Sequence, residues 1–133
     1  MGLRRKSREL ALQALYQADM CGLDVADIRL ISDNFRVAQK AVPYATTILA
    51  GIRANQDEID TIITGNAKNW RVDRMSIVDR NLIRIGIFEL VFQKEVPASV
   101  VINEAIEIAK RFSTDESSSF INGILDAIRD GKK

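Results

Sequence analysis

Basic side chains are concentrated at the N-terminus, where they could bind a polyanion. Arg4, Arg5, Lys6 and Arg8 supply four of the 19 basic residues. These four lie within the first eight positions, and the 125 positions that follow carry 15 basic and 18 acidic side chains. Such a run is typical of an arm that contacts nucleic-acid phosphates, and equally of a solvated tail. Composition alone leaves both interpretations open.

The residue types that most enzymes use are scarce. The chain has no histidine and a single cysteine, Cys21, which excludes Ser-His and Cys-His nucleophile pairs, an intrachain disulfide and a cysteine-based zinc site. It also has no glycine-rich loop that could cradle a phosphate. The composition therefore predicts a protein that is not an enzyme and holds no metal or cofactor.

Length and composition are those of one globular domain. The chain has 133 residues, of which 47% are hydrophobic and 28% charged. No stretch approaches the roughly 18 consecutive apolar residues that a membrane span needs. The basic start is not followed by an uninterrupted apolar segment, so a signal peptide is not expected. We expect a single cytoplasmic domain over residues 1–133, with a basic arm at residues 1–8.

Helix start and stop signals punctuate the whole chain, whereas strand signals are nearly absent. The pattern predicts an all-α domain of about six or seven helices. The first helix is expected to run from Leu3 or Ser7 to Met20, and a short second helix is expected to begin at Asp24. The third is expected from Pro43 to Gly65, and three more are expected to begin at Ser76, Pro97 and Ser113.

Two capping boxes open helices near the C-terminus, Ser76 with Asp79 and Ser113 with Glu116. The helix after Ser76 is apolar almost all round, so other helices must wrap it. The other helices have one apolar stripe each. The residues expected to face inward are Leu12, Leu15, Ala11, Ala14 and Ala18; Ile48, Ile52, Ile59 and Ile62; Ile102, Ala105, Ile106, Ala109 and Phe112; and Phe120, Ile121, Ile124, Leu125 and Ile128.

Several segments resemble the signature segments of one family. DRNLIRIGIFEL at 79–90, INEAIEIAKRF at 102–112 and FINGILD at 120–126 are similar to those of the NusB family of bacterial transcription antitermination factors. The N-terminal half agrees, with the basic run, QALYQ at 13–17 and TILAGI at 47–52. The resemblance covers essentially the full chain.

This resemblance implies a fold of two three-helix bundles packed roughly perpendicular to each other. It implies binding to the boxA element of ribosomal RNA leader transcripts, together with the small-subunit ribosomal protein that doubles as NusE. It also implies assembly with RNA polymerase and other Nus factors, which supports transcription of ribosomal RNA operons.

The family's functional residues can be assigned to the positions of this sequence that match its motifs. The resemblance assigns RNA binding to the basic run Arg4, Arg5, Lys6 and Arg8, and to Glu116 and Phe120 at the start of the last helix. It assigns NusE contact to Tyr16, Asp79 and Arg84. Asp79 stands where family members often have Glu, and Ser117–Ser119 replace a stretch that often holds a basic residue.

Each of these residues also has a purely structural interpretation. Tyr16 lies one helical step from Leu12 and Leu15, and Phe120 lies on an apolar stripe, so both could be core residues. Asp79 and Glu116 could serve only as capping partners. Arg84 follows Arg80 by one turn, which suits a polyanion partner or a solvated edge.

Two other functions stay open at this point. One is the RNA-binding domain of a ribosomal RNA cytosine methyltransferase, and the other is a protein-interaction module that forms a homodimer. An aromatic content of 6% gives no broad platform for stacking bases. We therefore expect weak RNA binding by the chain alone and tighter binding when a second protein completes the site.

Overall fold

The computed structural model describes residues 2–22, 39–67 and 72–131, and every regular element in these ranges is a helix. The predicted all-α class is confirmed. The five α-helices of the described ranges are α1 (Leu3–Cys21), α2 (Val42–Asn66), α3 (Ile77–Ile87), α4 (Ala98–Phe112) and α5 (Asp115–Gly131). Short 3-10 turns at Gln39–Ala41 and Val72–Arg74 and a π-helical segment at Phe88–Phe92 complete them. The helix predicted from Asp24 lies outside the described residues.

The boundaries of α1 agree with its predicted start and stop signals. Its C-cap, Gly22, adopts a left-handed conformation with φ of 67°, and its N–H donates to the carbonyls of Ala18 and Asp19. Glycine adopts this conformation without the steric cost of a Cβ atom. The apolar face of α1 is buried as predicted, at Ala11, Leu12, Ala14, Leu15 and Ala18.

The chain forms two compact units, Met1–Ala54 and Asn55–Lys133. Their boundary falls within α2, where Asn55 interrupts the helix with a non-helical backbone (φ −125°, ψ 20°). In the first unit, the Ser7 hydroxyl donates to the carbonyl of Ala41 at 2.7 Å. Since Ser7 is only 1% exposed, this bond fixes α1 against the turn that precedes α2.

The buried row of α2 differs from the prediction at one position. Ile48, Ile52 and Ile59 are at most 1% exposed, as expected. The next buried residue is Ile63, which is fully buried, whereas Ile62 is only partly buried. The prediction for Ile62 is wrong because the inward row continues by four residues after Ile59, not by three.

In the second unit, α3 is buried on every side, as its apolar composition predicts. Leu82, Ile83, Ile85 and Ile87 are at most 2% exposed, and α4 and α5 pack against the helix. Gly86 permits this close approach, because a Cβ atom there would lie 2.9 Å from both terminal methyl carbons of Leu125.

The inward faces of α4 and α5 agree with the prediction except at three positions. Ile102, Ala105 and Ala109 are buried on α4, together with Val101 and Ile108, which the prediction omitted. Ile106 was expected inside but is only partly buried, because the buried row passes from Ala105 to Ile108 and leaves Ile106 at its edge. On α5 Ile121, Ile124, Leu125 and Ile128 are buried as predicted, whereas Phe120 is only partly buried. Phe112 was expected inside but is 40% exposed, because it is the last residue of α4, where the chain leaves the core toward α5.

Candidate nucleic-acid and protein interface

The basic run forms the first turns of α1. The N-cap, Gly2, has no side chain to bond the free N–H groups, and the first turn contains no acidic residue. Cations at a helix N-terminus are disfavoured by the helix dipole, by about 0.3–1 kcal/mol each. Arg4, Arg5 and Lys6 therefore combine with the positive end of the helix dipole to make this end of α1 attractive to an anion.

The four basic residues do not share one environment. Arg4 and Lys6 are exposed and Arg5 is partly buried, whereas Arg8 is only 3% exposed. Arg5 and Arg8 also interact with other groups of the protein. A guanidinium buried as deeply as that of Arg8 does not reach a phosphate in this conformation. The structure thus separates Arg8 from the solvent-facing cations that the sequence grouped with it.

Arg4 lies against an aromatic ring that the sequence gave no reason to select. Its guanidinium carbon is 3.7 Å from the centre of the Tyr44 ring, in the first turn of α2. An arginine within about 6 Å of a ring face gains a cation–π interaction. Tyr44 therefore joins the candidate interface in the first unit.

Tyr16 lies further along α1 and is 40% exposed. It belongs to the surface of the helix, not to its buried face. One turn later Met20 is 59% exposed, so the two side chains lie on the same side of the helix. Met20 was absent from the predicted site, although its spacing from Tyr16 was a usable signal. Together they offer an apolar contact surface.

Asp79 connects the start of α3 to the start of α5. Its backbone N–H donates to the hydroxyl of Ser76 at 3.1 Å, which confirms Ser76 as the N-cap. Its carboxylate accepts the Ser113 hydroxyl at 3.0 Å and the Ser117 hydroxyl at 2.8 Å. The residue is 8% exposed. Asp79 is thus a structural bridge as well as a candidate partner contact.

The predicted capping box at the start of α5 is displaced by one residue. Thr114 is the N-cap, since its hydroxyl oxygen accepts the N–H of Ser117 at 3.0 Å. The hydroxyl of Thr114 lies 3.1 Å from that of Ser117 and donates to it, because the Ser117 hydrogen goes to Asp79. The prediction that Ser113 caps this helix with Glu116 is wrong, because the helix begins at Asp115 and the N–H of Ser117 donates to Thr114, the residue directly before it. The Ser113 hydroxyl donates to Asp79.

Glu116 and Phe120 lie four residues apart, so they share one face of α5 near its start. Glu116 is exposed, and Phe120 is partly buried, between a core residue and a surface one. The Asp79 bridge reaches this same turn through Ser117. The structure therefore brings Asp79, Glu116 and Phe120 to the beginning of α5 in the second unit.

Arg84 lies inside the second unit, not on a solvated edge. Its side chain is 9% exposed and makes two parallel contacts with Asp60, from Nε to Oδ1 at 2.8 Å and from Nη2 to Oδ2 at 3.0 Å. Nη1 donates to the side-chain oxygen of Asn81 at 3.0 Å. The solvated-edge interpretation is wrong, because the guanidinium is held in a bidentate pair that no local pattern around Arg84 indicates. Little of Arg84 is left for direct contact with a partner.

Across the described ranges, no three histidine, cysteine or acidic side chains gather as they would around a metal ion. Within the same ranges, no helix is long and apolar enough to cross a membrane.

Comparisons with known proteins agree with the family resemblance of the motifs. The family model of the NusB family matches residues 5–130. The transcription antitermination protein NusB of Myxococcus xanthus is 43% identical over 135 residues, covering 96% of this chain and 95% of that protein.

Two solved structures share the fold. The structure of T. maritima NusB has a TM-score of 0.84 and 38% identity, covering 96% of this chain and 90% of the other. A structure of antitermination factors NusB and NusE in complex with dsRNA has a TM-score of 0.81 and 25% identity, covering 97% of each chain. With the helical architecture and the motifs in place along nearly the whole sequence, the chain belongs to the NusB family.

Proposed function

We propose that this chain is a transcription antitermination factor that binds RNA together with NusE. The RNA target is the boxA element of ribosomal RNA transcripts, and the assembly acts with RNA polymerase and other Nus factors in the cytoplasm. In this proposal the chain is a binding protein, not an enzyme. The similar proteins support it, since one is an antitermination protein and another is a NusB bound to NusE and RNA.

The basic end of α1 is the observation that carries the RNA-binding proposal. Three cations stand where the helix dipole disfavours them, at a cost of about 1–3 kcal/mol in total. Real proteins break such local rules mainly at functional sites. A bound phosphate would convert this cost into a gain, because it would be attracted by both the cations and the helix N–H groups.

At the other candidate RNA site, Glu116 and Phe120 are assigned by resemblance to the same RNA. Phe120 is partly buried and can present part of its ring to a base. Glu116 carries a carboxylate, which accepts hydrogen bonds from the amino groups of bases and repels phosphates. We propose that these two residues read bases, while the end of α1 binds the backbone.

NusE contact is proposed for Tyr16 on α1 and for Asp79 at the start of α3. Tyr16 has the exposure that a contact residue needs. Tyrosine is also among the residue types that most often dominate interface energies. Asp79 retains acceptor capacity, because a carboxylate has about four lone-pair positions and the two serine hydroxyls use two of them. Arg84 contributes to the proposed NusE contact only indirectly, because its ion pair with Asp60 holds α3 in position.

The phosphate-binding role predicts a specific salt response. Replacing Arg4, Arg5 and Lys6 together by alanine should reduce the slope of log affinity against log salt by about 2, since each phosphate contact to a single strand contributes about 0.7. Filter binding of a boxA oligonucleotide across a salt series measures this slope.

A matched control removes three exposed cations elsewhere, Arg53, Lys94 and Lys110, so that the change in net charge is the same. This control should leave the slope nearly unchanged. Equal slopes for the two triple variants would show that net charge, not the end of α1, governs RNA binding.

A further inference from the structure

Arg4 and Tyr44 form a cation–π pair in which the ring can cover only one face of the guanidinium. The guanidinium is planar, and its carbon lies 3.7 Å from the centre of the tyrosine ring, so one of its two faces is covered. Arg4 is nevertheless exposed to solvent. Because the ring can cover only one face of a planar group, the exposure of Arg4 favours an accessible outer face.

The pair is held in place by a second, buried contact. Ser7, one turn after Arg4, donates its hydroxyl to the carbonyl of Ala41, three residues before Tyr44. This bond joins α1 to the start of α2 on the first unit. As a result, the start of α2, which carries Tyr44, is fixed beside the first turns of α1 by a bond that does not involve Arg4.

A guanidinium fixed in this way can do more than attract phosphates. Unpaired RNA bases stack on arginine planes as well as on aromatic rings. A mobile arginine loses conformational entropy when a base settles on it, whereas one already supported by a ring loses less. The charge stays available, because the N–H groups at the edge of the guanidinium remain free of the ring.

We propose that Arg4 accepts an unpaired RNA base on its outer face, and that Tyr44 is the positioning residue that holds the guanidinium flat. This inference rests on the proposed RNA binding and adds base stacking to a residue that the motif match assigns only to phosphate contact. It also gives this aromatic-poor chain a stacking site at the basic end of α1.

The test separates stacking from charge. Arg4→Lys keeps the positive charge but removes the planar group, and Tyr44→Leu removes the ring that lies against Arg4. Fluorescence anisotropy would measure the affinity of the full-length protein, with NusE present, for a boxA oligonucleotide. The same oligonucleotide would then be measured in versions that each lack one base.

For the wild type, removal of one particular base should weaken binding about tenfold through lost stacking. Arg4→Lys and Tyr44→Leu should each weaken binding to the intact oligonucleotide by a similar factor. At that base position, both variants should then lose the penalty for base removal, because the two changes delete one interaction. The salt slope should stay unchanged in both variants, and Tyr44→Phe should behave as the wild type.

Circular dichroism would confirm that each variant is folded, and a merely structural role of Tyr44 would leave the pattern of base-removal penalties unaltered. An Arg4→Lys protein with the wild-type pattern would overturn the inference and leave RNA binding intact. Failure of the wild-type protein to bind the intact oligonucleotide would instead overturn the proposed function together with the inference.

Discussion

Replacing Asp60 by alanine is expected to lower the free energy of unfolding by about 2–3 kcal/mol, the largest stability effect in the second unit. The substitution would leave the guanidinium of Arg84 buried without its bidentate partner. Breaking a fully buried ion pair costs about 3–5 kcal/mol, and we expect less here because the Asp60 side chain is 30% exposed. Urea unfolding followed by circular dichroism measures the change.

Two further variants make this result interpretable. Asp57→Ala removes an exposed carboxylate from the same helix and should change stability by less than about 0.5 kcal/mol. The double variant Asp60→Leu with Arg84→Met should recover part of the stability lost in Asp60→Ala, because neither charge of this pair is left buried alone, although the Asn81 oxygen loses its Arg84 donor. Equal effects of Asp60→Ala and Asp57→Ala would contradict a structural role for the Arg84 pair.

The second large effect is expected at Asp79, where it should appear in both stability and binding. Asp79→Ala removes two hydrogen bonds to a charged group that is 8% exposed, and should cost about 2 kcal/mol of unfolding free energy. If Asp79 also contacts NusE, the same variant should weaken NusE binding roughly tenfold or more. Urea unfolding and isothermal titration calorimetry with NusE measure the two effects.

A serine variant separates these two roles. Ser113→Ala combined with Ser117→Ala deletes the same two hydrogen bonds and leaves the carboxylate in place. It should destabilise the protein by a similar amount, yet bind NusE at least as tightly as the wild type. An equal loss of NusE affinity in both variants would show that Asp79 acts only by shaping the start of α5.

Local patterns were enough to predict most of the helices. Capping residues and apolar periodicity gave the boundaries of α1 and the buried faces of α1 and α5, because both depend on residues within a turn or two of each other. The all-round burial of α3 followed from its composition in the same way. These features need no knowledge of distant contacts.

The prediction for Arg84 failed because a distant residue decides the outcome, whereas those for Ile62 and Phe112 failed within their own helices. Ser113 and Thr114 are both suitable N-caps by residue type, and the structure uses Thr114 as the cap while Ser113 binds Asp79, 34 residues earlier. Arg84 resembled a surface arginine until the structure placed Asp60 beside it. The burial of Arg8 likewise has no signal in the basic run itself.

Such distant pairs also explain how much of the candidate site could be predicted. Motif positions identified Tyr16, Glu116 and Phe120, which the structure places at least partly in contact with solvent. Tyr44 was missed, because its relevance comes from stacking with Arg4, 40 positions away in sequence. A single sequence carries no pattern for a contact of this kind.

Cooperative assembly with RNA and NusE is the central functional proposal, and one titration tests it most directly. The affinity of the full-length protein for a boxA oligonucleotide would be measured with and without saturating NusE, and the affinity for NusE with and without the RNA. We expect NusE to tighten RNA binding by about tenfold, within the usual range of coupling between sites, and RNA to tighten NusE binding by the same factor. RNA affinity that is unchanged by NusE would contradict the proposal.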